Sequence, residues 1–324
     1  MGNRLSRLAL AVASLWAASA QAQLHVPAQG HGTLTATVQV VTDHWHLTGE
    51  GDRSGESNIT TNSLFLKFDY GLTGRLAVNL NAPYVQKRFR ALPGGARPHD
   101  PAPFNQPHDD HDHEHEHVDR LDDGSFHGQW QDWGVGLRYR WRDAPIAITP
   151  FLNYSWPSHD YTYFAHAAPG TRQKRSQVGV FVGRTFGPPW INTYAQGSYS
   201  YTFVEKVLGI DVDYSTLNLE MGHHFSERFS GRVFLTYRKT HGGLDLPRDF
   251  PWRGSSPPPQ DEGLRELFLN HDRIQRIDYL NGGFGVAWTI DGQHALTLDY
   301  LATLWGENGH EIHNAVSLSL YRSF

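Results

Sequence analysis

The chain has 324 residues, a formal net charge of -5, and 10 Trp, 14 Tyr, 17 Phe and 32 Gly, but no Cys. The excess of acidic residues argues against a nucleic-acid partner, and the lack of cysteine excludes a fold held by disulfides. A mean hydropathy of -0.50 excludes a bundle of apolar membrane helices.

The N-terminal residues carry an export signal. Arg4 and Arg7 precede an apolar run over residues 8–18, which is followed by Ala20-Gln21-Ala22. This pattern predicts a signal peptide at 1–22 and one mature domain at 23–324. The apolar run is shorter than the roughly 20 residues that cross a bilayer as a helix. If the mature chain lies in a membrane, it must do so as a β-barrel.

Alternation of apolar and polar residues predicts twelve strands in the mature chain. Their ranges are 32–47, 59–70, 75–87, 128–141, 146–156, 173–186, 190–204, 209–223, 228–239, 272–290, 294–305 and 314–324. We therefore expect an all-β fold, a transmembrane antiparallel up-and-down β-barrel of about 12 strands in the bacterial outer membrane. Pro150 falls inside the fifth strand, where a missing N–H predicts a local bulge.

The links between the strands alternate in length. Five short turns occur at Gly71, Asp143, Pro188, Ser226 and Gly292. Because an even strand number brings both termini to one end, these turns are expected at the periplasmic end and the longer links outside. The long outer loops are predicted at 88–127 and 240–271, with a short helix within 260–269. Link 306–313 is also expected to be a long one, and 205–208 is the short exception.

The final strand has the pattern of a closing barrel strand. Val316, Leu318, Leu320 and Phe324 share one face, and serines occupy the other. An amphipathic strand that ends on an aromatic residue resembles the last strand of bacterial outer-membrane barrels. Arg322 stands where an aromatic residue is more usual.

A histidine-rich run lies inside the first long loop. Imidazole nitrogens suit zinc, copper, nickel or cobalt, and adjacent carboxylates can complete the coordination. The predicted ligands are His108, Asp110, His111, Asp112, His113, Glu114, His115, Glu116 and His117. The other interpretation is a solvated, low-complexity loop. No resident cofactor is expected, and any metal would be held at this loop.

Charged residues occur on the predicted inner faces of the strands. Those expected to line the pore are Lys67, Asp69, Arg138, Arg140, Glu220, Arg232, Arg238 and Asp299. They could line a watery channel or form a paired network that fills the barrel. Ten further histidines are expected at the outer end: His44, His46, His99, His127, His159, His166, His241, His271, His310 and His313.

Several segments resemble the outer-membrane transporter family named for the meta-pathway of phenol degradation. They are Asp69-Tyr70-Gly71-Leu72-Thr73, Asn81-Ala82-Pro83-Tyr84, Asp132-Trp133-Gly134-Val135-Gly136-Leu137-Arg138-Tyr139 and the closing strand. The resemblance implies passage of small molecules across the outer membrane. The histidine-rich run is not part of the family pattern.

Together these features predict an outer-membrane transporter or channel, not an enzyme, whose outer loop binds a divalent transition metal. Its expected partners are outer-membrane lipid and a small-molecule or metal-ion solute. One alternative is a channel for small hydrophobic or aromatic compounds with an incidental histidine-rich loop. A less favoured alternative is a lipid hydrolase built from Thr303, His310, His313 and Ser317.

Overall fold

A computed structural model describes residues 24, 26–54, 57–91, 121–245 and 261–324. In this part of the chain the strands are β1 Gly32–Leu47, β2 Arg53–Ser54, β3 Ser57–Gly71, β4 Leu76–Ala91, β5 His127–Trp130, β6 Asp132–Tyr139, β7 Ala147–Pro157, β8 Arg175–Thr185, β9 Thr193–Val204, β10 Tyr214–His224, β11 Phe229–Thr240, β12 Asp278–Thr289, β13 His294–Glu307 and β14 Gly309–Ser323. The helices are α1 Glu262–Leu269 and α2 His271–Ile274.

The strands close into a barrel. Each main strand pairs antiparallel with its neighbour in sequence, and β14 returns to pair with β1. β5 and β6 together form one crossing strand, which pairs with β4. β2 is a short strand that pairs with the outer end of β1. The prediction of a closed antiparallel barrel of 12 crossing strands is therefore confirmed. Closure pairs the backbone groups between strands, which a membrane interior requires.

The seam of the barrel is held at its periplasmic end by the last residue. Gly32 N–H donates to the Phe324 carbonyl, and Phe324 N–H donates to the Gly32 carbonyl, each at 3.0 Å. The Phe324 ring lies so close to Gly32 that an added Cβ would come within 2.6 Å of it. Arg322 faces outward between Leu34 and His294 of the adjacent strands, where a long side chain can extend its charge toward the interface.

The outside of the barrel is apolar. Val38, Leu318, Phe284 and Val286 each leave half or more of their surface exposed, although they lie in mid-strand. Many of the buried strand residues on the inner side are small and polar, and they include Thr149, Thr202, Thr297 and Ser319. This inversion of a soluble core is the pattern expected of a barrel whose outer surface contacts lipid. Among the described residues, no helix combines the length and apolarity needed to cross a bilayer.

A folded cap covers part of the outer end. Ile59, Phe89 and Leu121 form a small apolar core with three alanines of the β7–β8 loop: Ala165, Ala167 and Ala168. Asp122 fixes this loop by accepting hydrogen bonds from the backbone N–H groups of His166 and Ala167 and from the His166 ring. The β7–β8 loop also meets the second long loop, since the rings of Phe164 and Phe268 lie 5.3 Å apart.

Several predicted details differ in the structure. Pro150 causes no bulge, because the β7–β8 register runs without interruption from Ala147 to Ser155. The Pro150 nitrogen points toward β6. The regular pairing of β7 with β6 stops at Phe151 and resumes only as a single bridge at Ile148, so Pro150 lies between the two. The missing N–H therefore falls in a gap that already exists in the ladder.

The ends of several links were also predicted wrongly. The first long insert begins after Ala91, because β4 continues past residue 88. The tenth crossing strand starts at Asp278, since residues 271–274 are helical. The link after β9 extends to residue 213, and the predicted 306–313 loop is instead a tight turn at Asn308, which has a φ of 47°. The predicted helix within 260–269 is confirmed as α1, capped by Asp261.

Candidate functional site: the barrel interior

The barrel interior contains a cavity of about 830 Å³ and, beside it, a second of about 260 Å³. Period-two alternation turns every second residue of each strand inward, so neighbouring strands line the cavity together. The residues shared by both cavities are mostly amides and hydroxyls: Lys67, Asn81, Asn153, Gln177, Phe181, Ser198 and Asn218.

The polar lining is connected from strand to strand. Asn153 donates to Gln177 at 2.8 Å, and Gln177 donates to Ser200 at 3.1 Å. Farther round, Thr236 donates to Asn218 at 2.8 Å, and Asn218 donates to Ser198 at 3.0 Å. These bonds fix the positions of the polar side chains along the wall.

Lys67, Asp69 and Arg138 form one charged group on the wall, here called the Asp69 cluster. Arg138 donates to the Asp69 carboxylate, and the Lys67 ammonium lies 3.2 Å from the other carboxylate oxygen. The side chains of Arg138 and Asp69 are 3% and 5% exposed. With two cations and one carboxylate, the cluster carries a net positive charge.

Glu220, Arg232 and Asp299 form a second group, here called the Arg232 cluster. Arg232 contacts both Asp299 oxygens, with its closest contacts at 2.7 and 2.8 Å, and lies 3.5 Å from Glu220. Tyr194 and Gln196 donate to Glu220 at 2.8 and 3.0 Å. With two carboxylates and one cation, this cluster carries a net negative charge.

Interior glycines make room for these polar groups. A Cβ on Gly285 would lie 1.8 Å from an Asp299 oxygen, and one on Gly136 would lie 1.9 Å from the Asn153 side chain. The sequence shows these glycines, but which side chain fills the space beside each depends on the register between strands.

The remaining predicted pore residues lie at the two ends. Arg140 follows the end of β6, donates to the Gly74 carbonyl and lies 3.5 Å from Asp143, so it is at the periplasmic rim and not in the cavity. Arg238 packs its guanidinium 3.8 Å from the ring centroid of Tyr214, which itself lines the larger cavity.

Residues 24 and 26–29 lie across the periplasmic opening, which the sequence analysis did not predict. The inward-facing Thr149 hydroxyl donates to the Leu24 carbonyl at 2.6 Å, and Leu24 also packs against Gly183 of β8. From there the segment runs to β3, where Gln29 forms a bridge with Gly71. Leu24 and Val26 are buried. No periodic pattern marks this stretch, so nothing in the sequence signalled the placement.

Imidazoles collect at the outer end. The His46 ring lies 4.1 Å from that of His310 and 5.5 Å from that of His166, and His44 contacts His313 at 4.8 Å. Within the described residues, no group of three or more His, Asp or Glu side chains is arranged to hold a metal ion. The predicted metal ligands His108 to His117 lie outside the described residues.

The outer loop over the cavity is fixed by Tyr161. Its hydroxyl donates to Asp132 and accepts from the Arg172 backbone at 3.0 Å, while Arg175 lies 3.1 Å from Asp132. Burial, followed by the hydrogen bond to the Asp132 carboxylate, raises the pKa of the Tyr161 phenol. The phenol therefore stays protonated at neutral pH and keeps its role as a donor.

The hydrolase candidates have separate partners. Thr303 donates to Asn281 at 2.9 Å, and Ser317 accepts from Gln39 at 2.9 Å. The His310 ring contacts the His46 ring at a tilt, and the His313 ring meets the His44 ring edge-on. A nucleophile and its base must share a hydrogen bond, and these contacts place the four side chains in different environments.

The geometry defines the class of protein: the chain is a bacterial outer-membrane β-barrel. No family model matches the sequence, and no curated protein matches it. Among solved structures it is similar to the COG4313 outer membrane channel from Pseudomonas putida F1, with a TM-score of 0.64, 12% identity, and coverage of 93% of this chain and 97% of that one.

Other barrels superpose less well. The β domain of the Bordetella autotransporter BrkA gives a TM-score of 0.49 at 12% identity, covering 92% of this chain and 100% of that one. The NanC porin gives 0.46 at 9% identity, covering 90% and 98%. At sequence identities this low, the similarity shows a shared fold and nothing more.

Proposed function

We propose that this barrel is a channel or transporter for small polar solutes across the outer membrane. The observation that carries the proposal is the 830 Å³ cavity lined by amides, hydroxyls and paired charges. A barrel of intermediate strand number has more interior space than its wall side chains occupy. Two further points support it. The Pseudomonas putida protein with a similar fold is described as an outer membrane channel, and the sequence resembles a family of outer-membrane transporters.

Liposome swelling tests solute passage. Purified protein refolded into proteoliposomes is expected to admit small sugars and amino acids at rates that fall with solute size. Protein-free liposomes and liposomes with heat-unfolded protein serve as controls. Absence of flux for every polar solute, from protein that shows the mobility shift of a folded barrel on gels, would refute the proposal.

We further propose that the run His108 to His117 binds a divalent transition metal. Its support is the sequence itself, in which five imidazoles alternate with carboxylates. Calorimetry with zinc, copper or nickel is expected to show binding that is lost when the five histidines are replaced by asparagine. A matched variant that neutralises the carboxylates and keeps the histidines should retain part of it. Unchanged binding in the histidine variant would refute the metal site.

A second candidate function is passage of small aromatic compounds. One observation favours it: Phe65, Phe181 and Phe234 contribute to the cavity lining. The Phe181 ring also lies 4.5 Å from that of Phe151. Swelling assays with benzoate against acetate, corrected for protein-free liposomes, distinguish the two functions, because an aromatic-selective channel should favour benzoate despite its larger size.

A further inference from the structure

The two charged clusters lie on opposite walls of the barrel. The Asp69 cluster comes from β3 and β6, which flank β4, and the Arg232 cluster comes from β10, β11 and β13. In the closed order of crossing strands, β4 and β11 are six steps apart in both directions. Residues of both clusters line the same cavity, namely Lys67, Asp69, Glu220 and Arg232.

The clusters also lie at similar heights. The residues paired across successive strands can be followed around the barrel from Asp69. Through β4 and onward to β11, this row of paired residues rises and ends at Thr240, at the outer end of β11. Through β1 and β14, the row descends past Thr33 and Ser323 and ends at the periplasmic turn before β13. The row changes height because the strands are tilted against the barrel axis. A plane through Asp69 perpendicular to that axis therefore meets β11 between the two ends of that strand, in the region of Arg232.

Opposed charges at one level create an electric field across the cavity. The Asp69 cluster is net positive and the Arg232 cluster net negative. The other charged residues of this cavity, Asp132 and Arg175, pair with each other at 3.1 Å and balance. Low-dielectric barrel walls concentrate such a field in the lumen between the clusters.

We propose that this cavity binds and orients small zwitterionic solutes that carry both a carboxylate and an ammonium group. The carboxylate faces the Asp69 cluster through Lys67, and the ammonium faces the Arg232 cluster through Glu220. This inference deepens the proposed function of solute passage and rests on it. A neutral solute of the same size has a smaller dipole and gains less from the field.

Glycine and its neutral isomer glycolamide are the test pair, because they have the same composition and differ in charge separation. In swelling assays on wild-type protein, glycine is expected to enter about two- to fivefold faster than glycolamide. One weak ionic contact at a solvated site changes the occupancy of the site by about that factor.

The variant Lys67→Gln/Glu220→Gln removes one net charge from each wall. It leaves Asp69 paired with Arg138 and Arg232 paired with Asp299, and the amide oxygen that replaces the Glu220 carboxylate can still accept from Tyr194. The glycine preference should fall toward one. The matched control Lys206→Gln/Glu227→Gln makes the same changes at exposed positions outside the barrel and should behave as wild type.

Binding is measured separately by saturation-transfer NMR on detergent-solubilised protein with each solute. Stronger transfer to glycine than to glycolamide that is lost in the Lys67/Glu220 variant supports the inference. It does so even if the swelling assay shows no flux, because a lack of flux would refute only the passage function. Equal transfer to the two solutes in wild type, or an unchanged preference in that variant, overturns it. Gel mobility confirms that each variant is folded.

Discussion

Asp69 is expected to contribute more to the stability of the barrel than the arginine it pairs with. Asp69→Asn removes the carboxylate that both Lys67 and Arg138 contact and leaves two cations side by side. Arg138→Gln removes one cation, and Asp69 keeps the Lys67 ammonium 3.2 Å away. Asp69→Asn is nearly isosteric, so charge is its main variable, whereas Arg138→Gln also shortens a buried side chain.

The expected loss in the free energy of unfolding follows from the burial of the Asp69–Arg138 pair. Removing one partner of a buried pair costs about 3–5 kcal/mol when the other charge is left uncompensated. The Asp69 and Arg138 side chains are 5% and 3% exposed, so this range applies to Asp69→Asn. For Arg138→Gln the remaining charge keeps a partner, and the loss should be about 1–3 kcal/mol.

Urea unfolding of the protein in lipid vesicles, followed by tryptophan fluorescence and gel mobility, measures both free energies. The control Asp160→Asn breaks an exposed ion pair with Arg172 and should change stability little. The double variant should lose less than the sum of the two single losses, because both act on one contact. An Asp69→Asn variant as stable as Arg138→Gln would refute the assignment of Asp69 as the shared counterion.

Three further changes test other parts of the structure. Gly285→Ala should displace Asp299 from Arg232 and lower the urea midpoint, whereas Gly292→Ala, with open space around it, should not; equal midpoints would contradict the packing described. Gly32→Val should collide with the Phe324 ring and the Asp69 carbonyl and reduce the folded fraction on gels, with Gly74→Ala as the neutral control; full folding of the valine variant would show that the seam adapts. Deleting residues 24–29 should raise single-channel conductance in planar bilayers, because the segment crosses the periplasmic opening; unchanged conductance would mean that it does not narrow the ion path.

Local pattern was sufficient for most of the fold. Alternation along a strand is a property of the strand alone, so β1 was predicted with its observed ends. Val316, Leu318 and Leu320 were correctly predicted to share one face, which is the exposed outer face of the barrel. Link lengths fixed which turns share an end. The wrong predictions fall where contacts beyond the strand itself decide the local structure. Pro150 needs no bulge because its missing N–H falls in a gap in the β6–β7 ladder. Residues 271–274 form a helix where a strand was expected.

The sequence by itself determined that the strands have an apolar face and a polar, charged face, because these faces depend on residues two apart. With the alternating link lengths it also predicted a barrel. It placed Lys67, Asp69, Glu220, Arg232 and Asp299 on the inner face but did not identify their partners. Only the tertiary structure decided that Arg138 pairs with Asp69, that Arg232 pairs with Asp299, and that the two clusters oppose each other across one cavity. These two contacts join residues 69 and 67 positions apart. They depend on strand register and barrel closure, which no local period encodes.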